Sequence, residues 1–559
     1  MSVHGVPSRR QLHWLVLLPL VLAGCVGTGG SYRTPAMAVP SQWQALGAGT
    51  AAGSPAPSLA VAQARDTAQL AAWWRQFHDP VLEALIADAL DHNLDLRTAQ
   101  AQLHEARAVR RLAGAELAPT VSASASASQG KGSTATGSGT TREVYRAGLD
   151  ASWEIDLFGR LRSGRAVAEA SLGSAEEQLR DVRVTIIAEV ALNYIELRTA
   201  ERRLALAEST LAARQESLDL AGWRQQAGLV SELDVAQART ELESTRAGLP
   251  ALRTAVSAPR HRLAVLLGQA PGALAERLAG GGPAPRATTA IATGIPADTL
   301  RQRPDVRAAE RRLAAQVARL DEAKAARYPA LRLSGSLGWE ALRASGLGDG
   351  GALARSLLAS LSAPIFDAGR IRAGIGVQDA RLEQSRLAYE GAVLAALEDV
   401  ENALVGLAGA QEREQQLAQA TASARSTHDI ARFRYQAGLA DFLSVLDSQR
   451  TLLSLEDQLA QAGGALALAQ VRLYKALGGG WTGEGNASPA PSGAAAASVS
   501  KVVDSSASET AAANTTSAAA AAAETMASAA GTTVENVVVV RPAYDPATAV
   551  VPASVPESR

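Results

Sequence analysis

Catalysis or metal binding needs reactive side chains at defined spacings, and this chain of 559 residues offers few of them. Its seven histidines are scattered, no zinc-ligand spacing occurs, and no phosphate-binding glycine loop follows a strand. Three methionines and one cysteine leave little soft-ligand chemistry for copper or silver. No cofactor and no enzymatic activity are therefore expected. A formal net charge of −1 gives no electrostatic case for nucleic acid. Two features remain. Cys25 is the only thiol, so no internal disulfide can form. A small ionisable set, Tyr435, Asp441, Asp447 and Arg450, lies late in the chain; Asp447 and Arg450, three apart, share one helix face. By residue type alone these two make an ordinary surface pair worth a few tenths of a kcal/mol.

Cys25 acquires meaning from what precedes it. Arg9 and Arg10 form a short basic region, and Trp14 to Ala23 form an apolar run too short to span a bilayer. Such a run reads as a secretory signal, not an anchor. It ends in Leu22-Ala23-Gly24-Cys25, which resembles the lipobox of bacterial lipoproteins, so residues 1–24 are expected to be removed and Cys25 lipidated. Val26 rather than Asp follows, which in lipoproteins implies sorting to the outer membrane. Residues 25–72 read as an extended leader rich in Ala, Gly, Ser and Pro, with Trp43 as its main large apolar residue.

The elements that position the ionisable set are written twice. The repeats are expected over 73–270 and 295–480, and a constant offset of 210 aligns residues 85–270 with 295–480: Arg97, Pro119, Gly159-Arg160 and Gln226-Ala227-Gly228-Leu229 return as Arg307, Pro329, Gly369-Arg370 and Gln436-Ala437-Gly438-Leu439. The chain is two copies of one unit, joined by a Gly/Pro-rich connector over 271–294. A low-complexity tail over 481–559 is expected to lack order.

Within each copy a helical pattern runs first, from Trp73-Trp74 to about Leu117 in the first, until Pro119 stops it. The period then changes to two. Val121, Ala123, Ala125 and Ala127 alternate with serines, and Tyr145 to Leu157 alternate again after a polar loop. The second copy repeats this around Leu331 to Trp339 and from Ser356 to Ile365. Four strands of about ten residues, each with one apolar face, fit a membrane β-barrel. Four cannot close one, because an open edge in lipid leaves backbone groups without partners; closure requires several chains.

Long helices fill the remainder, Arg160 to about Gln226 and then to Leu267, with Leu242, Leu249, Val256 and Leu263 as a seam spaced by seven that returns as Leu452, Leu459, Leu466 and Leu473. Gly228 and Gly438 lie where the seams reverse, so each is expected to be a left-handed cap at a hairpin tip. Pro250 and Pro259 predict a kink or break in the first return helix.

Together the parts resemble the TolC-like outer-membrane efflux factors of the NodT-type lipoprotein branch, over about Trp73 to Trp481. The residues that carry the resemblance are Trp153-Glu154-Ile155-Asp156-Leu157-Phe158-Gly159-Arg160, Arg303-Pro304-Asp305-Val306-Arg307-Ala308-Ala309-Glu310 and Pro364-Ile365-Phe366-Asp367-Ala368-Gly369-Arg370. The resemblance implies a mainly α, internally duplicated coiled-coil barrel continued by a transmembrane β-barrel, with four strands per chain and twelve in a homotrimer. It implies a passive exit duct for drugs or other small solutes, partnered by a periplasmic adaptor and an inner-membrane pump. A polypeptide-secretion duct and a poreless structural lipoprotein are the alternatives. The resemblance further implies adaptor contact at Gly228, Leu229, Gly438 and Leu439, and a gate in which Tyr435, Asp447 and Arg450 hold the tips closed, with Asp441 and Leu443 near the constriction. On that reading Tyr435→Phe, Asp447→Asn and Arg450→Ser raise conductance, whereas changes at the counterparts Gln225, Gln237 and Thr240 do not.

Overall fold

The computed structural model describes residues 37, 39–47, 70–135, 139–287 and 296–481. Cys25, its signal segment and the tail after Trp481 lie outside the described residues. In chain order the elements are α1 (Pro80–His92), α2 (Leu94–Ala115), β1 (Thr120–Lys131), β2 (Thr141–Ile155), α3 (Arg160–Gln226) and α4 (Glu232–Leu266), then α5 (Pro296–Gln302), α6 (Pro304–Ala325), β3 (Ala330–Ala341), β4 (Leu353–Ser362), α7 (Arg370–Gln436) and α8 (Phe442–Ala476). The two copies match in length where it matters most: α3 and α7 each have 67 residues, and α4 and α8 each have 35.

The first helical run is not continuous to Leu117 as the periodicity suggested. It breaks at Asn93, whose extended backbone ends α1 and whose side chain caps α2 by accepting from the Leu96 amide. The Asn93 amide also donates to the Leu266 carbonyl at the end of α4. A buried Asn is kept where each of its polar atoms has such a partner.

The expected break at Pro250 and Pro259 is absent; α4 runs through both. Pro250 is on the exposed side, while Leu242, Leu249, Val256 and Leu263 are buried in the seam. Each buried seam side chain contributes about 1.5–3 kcal/mol, so the four together offset the roughly 3 kcal/mol that each internal proline costs.

The strands form one antiparallel sheet in the order β1-β2-β3-β4, leaving β1 and β4 as edges. Register keeps the two faces distinct. Asp150 is opposite Ser122 and Ser336, and Arg146 is opposite Glu340, to which it is ion-paired at 3.0 Å. On the other face Leu149 is opposite Ala123 and Leu337. The fourth strand starts three residues earlier than the alternation suggested and stops at Ser362, because Pro364 has no amide to give a ladder. Ile365 and Phe366 beyond it are exposed.

The chain segments quoted for the family resemblance prove to be joints. At the β2–α3 junction Gly159 takes a left-handed φ of 83°, Glu154 pairs with Arg160 at 2.7 Å, and Asp156 accepts from the Arg162 amide at 2.8 Å. At the β4–α7 junction Asp367 accepts from the amides of Gly369 and Ile371. Arg303, buried at the start of α6, donates to Asp305, to Asp399 of α7 and to the Ala476 carbonyl of α8. Burial works against its charge, but these carboxylates raise its pKa overall.

The main core lies at mid-height on the helices. Ile186, Ile187, Val190, Tyr194 and Leu197 of α3 pack with Leu82 and Leu85 of α1, Leu263 of α4 and Val400 and Leu404 of α7. Trp73 stacks on Tyr474 of α8 with centroids 5.1 Å apart. Trp43 of the leader is buried here too, and the carboxylate of Glu401 accepts from the amides of Gln44 and Ala45. The connector is strapped across α8: the Gln470 side chain accepts from the Ala287 amide and donates to the Ala287 carbonyl, both at 3.1 Å. Among the described residues no helix is long and apolar enough to cross a membrane, and no cluster of three metal-ligating side chains occurs.

Candidate functional site

The long helices end at two tips built alike. At the first, Gly228 has φ 73° and the Leu229 amide donates to the Arg224 carbonyl at 2.8 Å; at the second, Gly438 has φ 71° and Leu439 donates to Arg434 at 2.8 Å. This is the left-handed cap that closes the last turn of a helix on its own carbonyls. Leu229 and Leu439 are left exposed at the ends. The return helices are then capped differently. Ser231 and Asp234 form a reciprocal capping box on α4, whereas Asp441 alone caps α8 by accepting from the amide and hydroxyl of Ser444. Those two bonds hold the Asp441 carboxyl below the usual range.

Next to the tips the hairpins touch. Ala221 of α3 and Ala238 of α4 form a small core with Phe442 and Leu446 of α8, and Tyr435 of α7 packs against it. Two polar ties cross the same boundary. The Arg224 guanidinium sits 4.5 Å above the Tyr435 ring, and Arg450 donates from Nε and Nη2 to the Glu241 carboxylate at 2.9 and 2.5 Å. Glu241 is mostly buried because it also pairs with Arg214 of α3 at 2.9 Å. Burial lowers the Arg214 pKa, and the Glu241 bond raises that of Arg450.

Tyr435 and Arg450 are thus brought into one boundary between the hairpins. Asp447 is more peripheral, accepting from Arg450 at 3.1 Å while largely exposed. Leu443 is exposed one residue into α8, and Asp441 is occupied as a helix cap. The Asp447–Arg450 pair expected from spacing is present, but the stronger link of Arg450 is to the other hairpin. Sequence comparison missed Glu241, Arg214 and Arg224. The signal for Glu241 was available: its counterpart in the second copy is Thr451, an asymmetry that complements Arg450 against Thr240. Arg224 is matched by Arg434 and so carried no such mark. Among the described residues the Tyr435 hydroxyl has no hydrogen-bond partner, so its ring makes the contact, and Tyr435→Phe, expected above to loosen the tips, preserves that ring.

Residues 85–269 and 295–479 each match the Outer membrane efflux protein family. The chain is 32% identical over 471 residues to the outer membrane protein OprJ of Pseudomonas aeruginosa, covering 83% of this chain and 95% of that one. To nodulation protein T of Rhizobium leguminosarum bv. trifolii it is 31% identical, covering 83% and 96%. Among solved structures the outer-membrane channel OprN superposes with a TM-score of 0.75 at 38% identity, covering 81% of this chain and 99% of that one. With duplication, strand alternation, hairpin tips and paired matches agreeing, the chain belongs to the outer membrane efflux protein family: it is an outer-membrane transport channel, not an enzyme.

Proposed function

We propose that three copies of this chain close into one channel, the passive exit duct of a tripartite efflux system for drugs or other small solutes. The observation that carries this reading is a sheet with two free edges, continued at one end by hairpins whose 67-residue helices extend about 100 Å. Pairing β4 of one copy with β1 of the next removes every edge and yields twelve strands. The helices then extend from the outer membrane into the periplasm, and the energy for transport comes from an inner-membrane pump coupled through a periplasmic adaptor.

Under this reading Cys25 carries a lipid that anchors the leader in the outer membrane, in addition to the barrel. Gly228-Leu229 and Gly438-Leu439 are the pump-proximal points that meet the adaptor. Tyr435 and Arg450, supported by Asp447, hold the second hairpin against the first, with Asp441 and Leu443 beside the constriction, until the partners draw the second hairpin outward.

Purification as a heat-resistant trimer that conducts ions in a planar bilayer is the expected result. A monomer without conductance would leave only a structural lipoprotein. Crosslinkers at Leu229 and Leu439 should capture the adaptor, whereas adducts only from the strand loops would invert the topology. Mass spectrometry should find a thioether-lipidated Cys25 as the first residue of the mature chain; an unmodified Cys25 or cleavage elsewhere would refute that assignment.

A further inference from the structure

The apolar face of the sheet carries a cation within β4 where none is expected. Arg355 of β4 is opposite Leu337, which is opposite Leu149, so all three share the face that also holds Leu333, Leu357 and Leu361. Arg355 is exposed and makes no ion pair with any described residue. It is the third residue of β4 from the end remote from the helices, about 7 Å of strand from that end. A cation on a lipid-facing strand is costly at the midplane and nearly free close to the interface, where its long side chain reaches the headgroups. Trp339, opposite Leu353 on the same face, marks the same interfacial zone.

The other free edge repeats the sign. Lys131, the last residue of β1, has the odd-numbered parity of Val121 and Ala123 and so lies on the apolar face at the outer end. No ion pair holds it within the described residues. Strand β1 contains no Asp or Glu at all, so when β1 of one copy meets β4 of the next it cannot neutralise Arg355. The acidic residue on this face near that end, Glu143, already accepts from Gln129 and from the Tyr145 hydroxyl.

We propose that Arg355, with Lys131 further out on the neighbouring edge strand, forms a cationic seam on the lipid-facing wall that binds the phosphate groups of outer-leaflet glycolipid. The proposal rests on the reading that β1 and β4 close a membrane barrel. Phosphates are the complement of two exposed cations at headgroup level, and guanidinium suits them through paired, charge-assisted hydrogen bonds.

The full-length wild-type protein is reconstituted with bis-phosphorylated lipid A or with lipid A stripped of both phosphates, and retained lipid is counted by native mass spectrometry. Retention of the phosphorylated form at least fivefold above the stripped form is expected. The variant Arg355→Gln/Lys131→Gln should lose that preference. Arg142→Gln, which removes a cation from the opposite face at the same end of β2, should keep it. Equal retention of the two lipids by the wild type overturns the proposal, and so does equal loss in Arg142→Gln; the wild-type comparison decides even where the double variant does not insert. Insertion is scored separately by protease protection of the sheet in liposomes, and its failure would count against the barrel reading instead.

Discussion

Replacing Tyr435 by Ala and Arg450 by Ser together cuts the two polar ties that join the second hairpin to the first beside the tips, and leaves the Arg203–Asp457 pair nearer the core in place. Only interactions across that boundary count towards opening. The Arg450–Glu241 pair has its arginine 46% exposed, so solvent screening leaves about 0.2–1 kcal/mol. The Arg224–Tyr435 cation–π contact adds about 0.5–1 kcal/mol. Stacking of Tyr435 on Phe442 at 5.4 Å is internal to the second hairpin and is present whether the boundary is closed or open. The double variant should thus favour opening by about 1–2 kcal/mol per chain, a factor of about 5–30. Single-channel recording in a planar bilayer reads this as raised open probability or conductance. Tyr435→Phe keeps the ring and should stay near wild type, and Glu241→Gln should resemble Arg450→Ser. The reasoning is wrong if the double variant conducts like wild type, or if Tyr435→Phe opens as much as Tyr435→Ala.

Three other outcomes follow from positions away from that boundary. Gly228→Ala should cost only about 1 kcal/mol of left-handed strain, since a Cβ there meets nothing, whereas Gly268→Ala would place a Cβ 2.7 Å from the His92 carbonyl and should lower the melting temperature much further. His428 has its pKa lowered by burial between α7 and α8, against Ser448 and near Asp429, Arg432 and Glu456; the unfolded chain therefore takes up the proton first. Stability should fall as pH drops below about 6.5, and His428→Leu, which installs the residue found at the counterpart Leu218, should flatten that acid limb in thermal melts. Gln470→Leu removes both bonds that strap the connector and should cost about 1–3 kcal/mol, visible as faster proteolysis within 283–287; unchanged cleavage would mean that Arg286, paired with Glu414, holds the strap alone.

Much of the architecture was legible because periodicity and duplication are redundant signals. Gly228 and Gly438 announced the tips since only a left-handed residue lets a helix reverse there, and the alternation of Val121 to Ala127 announced a strand with one apolar face. What escaped depended on contacts distant in sequence. Asn93 breaks a helix that its neighbours would continue, because it is wanted by Leu266. Pro250 fails to break one because the seam on the far side outweighs it. Glu241 looked like surface until Arg214 and Arg450 approached it from two other helices, and Trp43 looked like part of a loose leader until Glu401 captured the turn that follows it.

The position of the main core gives the hairpins a mechanical advantage. On α3 the dense packing ends near Ala200, whereas the helix continues to Gln226, leaving an arm of about 39 Å at 1.5 Å per residue. Below that point the second hairpin is held to the first by the Arg203–Asp457 pair close to the core and by a few weak ties at the far end of the arm, where a force acts with the greatest torque. A tilt of about 10° around the core would carry the tip about 7 Å along its arc, while side chains at the fulcrum move by less than their own packing distances. On the proposed reading, a partner that grips Leu439 would work the aperture as a lever, with little disturbance to the buried residues on which the chain depends for its stability.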